Sequence, residues 1–145
     1  MSNEENLIGK CISVLYRCRK SYAGRMLEPY GISGCQYLFL MTLSKNNGAS
    51  QEKLSDLLKI DKTTTAKAIK KLEENGFVLR DIDFDDKRAY KVFLTQKAVD
   101  IIPHIKETMN KWESIVISDI SEQERALLEK LLKTMADKAY LLGSF

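Results

Sequence analysis

Cysteine occurs three times in this chain of 145 residues and histidine once. An odd number of cysteines without paired spacing argues against a disulfide framework and fits a reduced cytoplasm. One histidine, His104, with no Cys/His set at zinc-ligand spacing, leaves no metal site to assign and no cofactor. No glycine-rich phosphate loop is present. Gly31-Ile32-Ser33-Gly34-Cys35 lacks the glycine two residues after the serine that a nucleophile elbow needs. An enzyme is therefore not expected. No run approaches the roughly 20 apolar residues of a membrane span. The opening Met1-Ser2-Asn3-Glu4-Glu5 has no basic region of the kind that starts a secretory signal. There is no low-complexity segment and no internal repeat. The net charge of +3 is too small to imply a nucleic-acid partner by itself, so only local clustering can.

That clustering lies between Ser50 and Thr95. Asp61 is suited to cap a helix that carries Lys62-Thr63-Thr64-Thr65-Ala66-Lys67-Ala68-Ile69-Lys70-Lys71-Leu72. Asn75-Gly76 ends it, with Gly76 suited to a left-handed position. Thr65, Ala68 or Ile69, and Leu72 recur at helical spacing as one apolar stripe. From Lys62 to Lys71 there are four lysines and no acid. Small hydroxyls near the helix start can approach base edges or donate to phosphate, and the lysines neutralise phosphate. An ordinary solvated face would also carry lysine and threonine, so the neighbouring elements must decide.

They do so on both sides. Ser50-Gln51-Glu52-Lys53-Leu54-Ser55-Asp56-Leu57-Leu58 reads as a short helix capped by Ser50, with Leu54, Leu57 and Leu58 inward. Only Lys59 and Ile60 separate it from Asp61, the spacing of a helix-turn-helix whose second helix reads DNA. After Gly76 the period changes. Phe77–Ile82 and Tyr90–Leu94 alternate as strands around the polar Asp83-Phe84-Asp85-Asp86-Lys87-Arg88. This is a hairpin with a charged tip, the wing of a winged helix-turn-helix.

Long helices flank this module. The first is expected from about Asn6 to Glu28, with Ile8, Cys11, Leu15, Cys18, Tyr22 and Met26 along one stripe. Ser33 and Gln36 have capping-box spacing before Tyr37–Leu43, which is apolar on every side and reads as the central helix. Thr95 can cap a helix from Gln96 to about Ser118. Its Ala98, Ile102, Ile105, Met109, Trp112 and Val116 make a heptad-like seam that Pro103 should bend. Ser121-Glu122-Gln123-Glu124 opens a last helix with Leu128, Leu131, Met135, Ala139 and Leu142 on one side. Three long amphipathic helices beside so small a module offer more apolar surface than one subunit covers, so a two-fold homodimer is expected.

The run Leu72-Glu73-x-x-Gly76-Phe77-Val78-x-Arg80, then Asp85-Asp86-Lys87-Arg88, then Val92-x-Leu94-Thr95, resembles the multiple-antibiotic-resistance regulator (MarR) family. The resemblance extends over essentially the whole chain. It implies a mainly α fold with a small β-hairpin wing: residues 33–95 form the winged helix-turn-helix, and 1–32 with 96–145 form a helical dimerisation region. It places Arg88 where the family's wing-tip arginine enters the minor groove, and Lys67 where the reading helix commonly carries arginine. Lysine lacks the bidentate fork of arginine.

The roles expected are these. Lys62, Thr63, Thr64 and Lys67 contact the groove of double-stranded DNA; Lys70 and Lys71 face phosphate or only solvent. Ser50 and Gln51 open a helix whose N–H groups suit a phosphate. Lys87 and Arg88 act at the wing tip, and Asp86 orients them. A two-fold dimer predicts a pseudo-palindromic operator, and bound at a promoter it competes with polymerase, so repression is expected, with activation the outcome if the site lies elsewhere on the promoter. The resemblance implies release by a small aromatic or amphipathic effector, in a cleft that Tyr16, Tyr22, Tyr30, Tyr37 and Trp112 could line. An alternative is thiol-based oxidant sensing. The peroxide-sensing branch of the family places its reactive cysteine in the first helix, which here holds Cys11, paired with two tyrosines of the second. Tyr37 matches one of them and Gly34 replaces the other. Cys35 stands at a helix start, which favours a thiolate. A second alternative, a winged helix that binds protein, conflicts with the lysine run, since such a face would be more apolar.

Overall fold

The computed structural model describes residues 5–82 and 90–143. The expected wing-tip residues Asp86, Lys87 and Arg88 lie outside the described residues. In chain order the elements are α1 (Leu7–Leu27), a 3₁₀ turn (Glu28–Tyr30), α2 (Gln36–Lys45), α3 (Gln51–Leu58), α4 (Lys62–Glu74), β1 (Val78–Ile82), β2 (Tyr90–Leu94), α5 (Gln96–Val116) and α6 (Glu122–Leu141). The mainly helical architecture with one hairpin is the one expected.

Most helix starts are set by the residues that the sequence singles out. Thr95 accepts from the Ala98 N–H at 3.4 Å. At Ser121 the box is complete: its hydroxyl accepts from the Glu124 N–H at 3.1 Å, and the Glu124 carboxylate accepts from the Ser121 N–H at 3.0 Å. Ser33 is a correction. Gly34 sits at φ +58°, so the helical path cannot run through it, and α2 starts at Gln36 with Cys35 as the cap position. Half of the box survives, because the Gln36 side chain accepts from the Ser33 N–H at 3.3 Å.

The core forms around α2. Phe39, Leu40 and Leu43 are fully buried with Leu54 of α3, Ile69 and Leu72 of α4, Val78 and Val92 of the hairpin, and Ile105 of α5. Ala23 and Leu27 of α1 and Ile102 and Met109 of α5 join the same cluster, so the core spans both expected parts of the chain. Leu57 is a correction: it is 43% exposed. Ser55 takes the inward place beside Leu54, because its hydroxyl donates to the Ile60 carbonyl and closes the turn after α3.

The hairpin pairs antiparallel in the register Val78↔Leu94, Arg80↔Val92, Ile82↔Tyr90. A third edge, which the sequence did not announce, comes from the segment before α3. Gly48 N–H donates to Val92 O, and Val92 N–H donates to Ala49 O, each at 2.9 Å. Gly48 needs its lack of a side chain: its φ is +87°, and a Cβ there would stand 3.0 Å from the Phe93 ring.

The flanking helices are different. On α1 only Ala23 and Leu27 are buried, and on α6 no described residue is. The expected α1 stripe of Ile8, Cys11, Leu15, Cys18 and Met26 is exposed, as are Leu128, Leu131 and Met135 of α6 and Leu142 just after it. The α5 seam divides: Ala98 to Met109 is buried in the subunit, and Val116 is exposed.

One core atom lacks a partner. The Thr65 hydroxyl is buried, with no hydrogen-bond partner among the described residues. An unsatisfied buried hydroxyl costs about 1 kcal/mol or more, and valine has nearly the same shape. Thr65→Val should therefore raise stability by about 1 kcal/mol and the melting midpoint by roughly 3 °C. A thermal melt showing a lower midpoint for the variant would mean that the hydroxyl has a partner.

Candidate nucleic-acid interface

Helix α4 is fixed at both ends before any side chain faces solvent. At its start the Asp61 carboxylate accepts from the Thr64 N–H and from the Thr64 hydroxyl, each at 2.7 Å. Those two donors hold the Asp61 pKa below its ordinary range, the backbone N–H most strongly. At its end Gly76 adopts φ +78°, and the N–H groups of Gly76 and Phe77 return to Glu73 O and Leu72 O. This is the left-handed stop in which two otherwise unpaired carbonyls are satisfied. The Lys97 ammonium of α5 donates to Asn75 O at 2.7 Å and so also closes the negative end of the helix.

With the ends fixed, Thr65, Ala68, Ile69 and Leu72 are buried, and the opposite face is set by the helical period. Lys62, Thr63, Thr64, Lys67, Lys70 and Lys71 are all exposed. Thr63, Lys67 and Lys70 stand four and three apart and share one face. Lys62 lies 3.7 Å from Glu52 of α3, in a pair with both side chains more than 70% exposed. Thr64 differs from the expectation in one respect. Its hydroxyl proton is committed to Asp61, which leaves its methyl group and oxygen lone pairs to face outward.

The start of α3 is equally defined. Ser50 accepts from the Lys53 N–H at 3.0 Å, so its hydroxyl serves the helix cap. Gln51 is half-buried, and its side-chain oxygen is enclosed without a partner among the described residues. Between α3 and α4, Lys59 holds φ +54° and Ile60 N–H returns to Ser55 O at 3.1 Å.

The hairpin is tied to α4 by a pair that sequence reasoning quoted without assigning a role. The Arg80 guanidinium of β1 donates from Nε and Nη2 to the two Glu73 oxygens at 3.2 and 2.9 Å. It also stands 5.4 Å from the centre of the Tyr90 ring on β2. One planar cation thus joins the reading helix to both strands at the base of the wing. The signal was present as opposite charges seven residues apart, astride a helix stop.

Above the start of α4 lies a cavity of about 320 Å³ lined by Tyr16, Arg19, Lys20, Gly34, Cys35, Tyr37, Leu38 and Thr64. It stands between α1, α2 and the reading helix. Tyr16 and Tyr37 of the expected cleft line it; Tyr22, Tyr30 and Trp112 do not. Tyr30 instead packs on His104 with ring centres 4.5 Å apart, which gives the single histidine a packing role. The Arg19 guanidinium donates to the Tyr37 hydroxyl and lies 5.5 and 5.9 Å from the Tyr37 and Trp112 rings. Burial pushes the Tyr37 pKa up, and the Arg19 charge opposes this. Cys35 is half-buried on the cavity wall; Cys11 is exposed on α1 and outside that wall.

The wing anchor has a pH signature. The Arg80 hydrogen bonds hold the Glu73 pKa below the ordinary glutamate range. A depressed folded-state value means that the contribution is complete above the unfolded pKa and is lost as pH falls through the folded one. Glu73→Gln should therefore be less stable than the parent at pH 7, with the gap closing as pH falls below about 4. Denaturant titrations over that range measure it, and a gap independent of pH would remove the charge from the explanation.

The family model for the MarR family matches residues 32–90. An HTH-type transcriptional regulator of Bacillus subtilis, YybA, is 31% identical over 121 residues, covering 83% of this chain and 81% of that protein. The structure of a MarR transcriptional regulator from Methanosarcina mazei Go1 is similar with a TM-score of 0.86 at 42% identity, over 95% of this chain and 99% of the other. A MarR family regulator from Listeria monocytogenes, solved with a 26mer DNA, gives a TM-score of 0.87 at 27% identity, over 94% and 91%. Fold, reading-helix signature and relatives converge: the chain belongs to the MarR family of transcriptional regulators.

Proposed function

We propose that the chain acts in the cytoplasm as a homodimeric repressor that places two α4 helices in successive major grooves of a pseudo-palindromic operator. The observation that carries this reading is the division of α4 into a buried apolar face and an exposed face with four lysines and no acid between Lys62 and Lys71. Lys62, Thr63, Thr64 and Lys67 approach base edges, the Thr64 methyl suiting a thymine methyl. Lys70 and Lys71, with the α3 start at Ser50 and Gln51, face phosphates. Lys87 and Arg88 of the wing, oriented by Asp86, reach the minor groove, whose narrow form favours arginine. The Listeria monocytogenes relative solved with a 26mer DNA supports a duplex as the partner.

The dimer reading rests on apolar surface that one subunit leaves open. Ile8 and Leu15 of α1, Val116 of α5 and Leu127, Leu131 and Leu132 of α6 are all more than 40% exposed. Exposed apolar side chains in this number, at helical spacing, suit an interaction surface. In this reading residues 1–32 and 96–145 associate and residues 33–95 read DNA. A small aromatic or amphipathic effector enters the cavity beside Tyr16 and Tyr37. It leans on the first turn of α4 through Thr64, which is how its entry releases the operator.

Two measurements test the proposal. Lys67→Ala and Arg88→Ala should each weaken binding to operator DNA and reduce the slope of log affinity against log salt by about 1, since each removes one ionic contact. The dimer should be unchanged. Parent and variant binding alike at matched salt would remove that residue from the contact. Leu131→Glu places a charge on a side chain that is half-exposed in the single subunit. It should leave the helical content intact and convert the protein to monomer in sedimentation velocity, and a dimer retained at micromolar concentration would displace the interface from α6.

A further inference from the structure

The residue that joins α3 to α4 has an unusual backbone for its type. Lys59 sits in the left-handed region at φ +54°, ψ +41°, where glycine or asparagine is at ease and a lysine is strained. Strained positions of this sort are held by their surroundings and often serve function. The surroundings here are firm. The Ser55 hydroxyl donates to the Ile60 carbonyl, and the Lys59 N–H returns to the carbonyls of α3. The origin of the Lys59 side chain is therefore fixed in direction.

That side chain leaves the reading module and reaches α6. Its ammonium lies 3.5 Å from the Asp137 carboxylate and 5.1 Å from the centre of the Tyr140 ring. Asp137 is itself held by Lys133 one helical turn earlier, at 2.8 Å. Both charges keep Asp137 ionised, Lys133 more strongly than Lys59. Helix α6 has no buried residue in the subunit.

The geometry points to Lys59 as a positioning residue: by bridging the helix-turn-helix to Asp137 and Tyr140 of α6, it sets the angle of the reading head on the dimer arm, and so the half-site spacing that the protein accepts. This rests on the dimeric DNA-binding reading above. An exposed ion pair contributes little to stability. With α6 packed in the dimer, a bridge from the turn to that helix biases the rotation of the head, and spacing is sensitive to rotation. Each added base pair moves one half-site about 3.4 Å along the duplex and about 35° around it. A head free to turn would follow the shifted site, whereas a head held by the bridge would not.

The test uses the full-length parent and the DNA site that it selects from random-sequence duplexes. Derivatives of that site carry one or two base pairs inserted or removed between the half-sites. The parent should prefer its own spacing by about tenfold, and Lys59→Gly should reduce that preference to about twofold. Glycine suits the left-handed backbone, so this variant keeps the turn. Asp137→Ala should produce the same flattened profile, although it removes no positive charge from the DNA side. The double variant should be no flatter than either single one. Variants that keep the parent's spacing profile overturn the inference and leave the DNA-binding reading intact. A flattened profile for Lys59→Gly but not for Asp137→Ala also overturns it, because Lys59 would then act directly on DNA. A parent that is monomeric or selects no DNA overturns both readings.

Discussion

The exposed basic face of α4 depends on the burial of the helix's other side. Thr65, Ala68, Ile69 and Leu72 are inside, against a core centred on α2. A helix turns about 100° per residue, so fixing one face fixes the other to within a fraction of a turn. The lysines owe their outward direction to those four residues, and lysine itself has little tendency to choose a direction. Burying three aliphatic side chains and a threonine offers several kcal/mol of driving force. The outer face needs no stabilising contact of its own, which leaves it free to be selected for a ligand.

Much of this could be read from the residues because short-range rules governed it. Asp61, Thr95 and Ser121 cap helices as their side-chain chemistry requires, and Gly76 stops α4 in the left-handed conformation its lack of a Cβ permits. Reading failed where one local rule met another. Ser33 and Gln36 have the spacing of a capping box, but Gly34 between them turns left-handed and delays the helix. Leu57 looked inward by composition, yet Ser55 holds the inner place because a hydroxyl was needed to close the turn. The edge formed by Gly48 and Ala49 on β2 was hidden because two backbone hydrogen bonds leave no periodic pattern in a sequence. The bond between Arg80 and Glu73 left only a weak sign, opposite charges seven residues apart: its two residues belong to different elements, and only the fold brings them together.

The stripes on α1 and α6 show where periodicity stops being informative. Heptad spacing identifies an apolar face but not what covers it. Ala98 to Met109 on α5 packs inside the subunit, while Val116 on the same helix and Leu128 to Met135 on α6 do not. The pattern is alike in both places. The difference arises because α2 and the hairpin occupy one end of α5, so that end meets its own core, and the other end extends past it.

Helix α4 is therefore neither a free rod nor a simple part of the core. Its inner face belongs to the hydrophobic cluster, its first turn is capped by Asp61, and its C-terminal end is held by two cations from neighbouring elements. At the C-terminal end Lys97 of α5 donates to the Asn75 carbonyl and lies 4.4 Å from the centre of the Phe77 ring, and Arg80 of the wing clasps Glu73. At the N-terminal end Lys59 reaches α6 from the turn. The buried stripe makes α4 respond as one body because a close-packed face resists bending. The cavity at Tyr16, Tyr37 and Thr64 touches that body at its first turn.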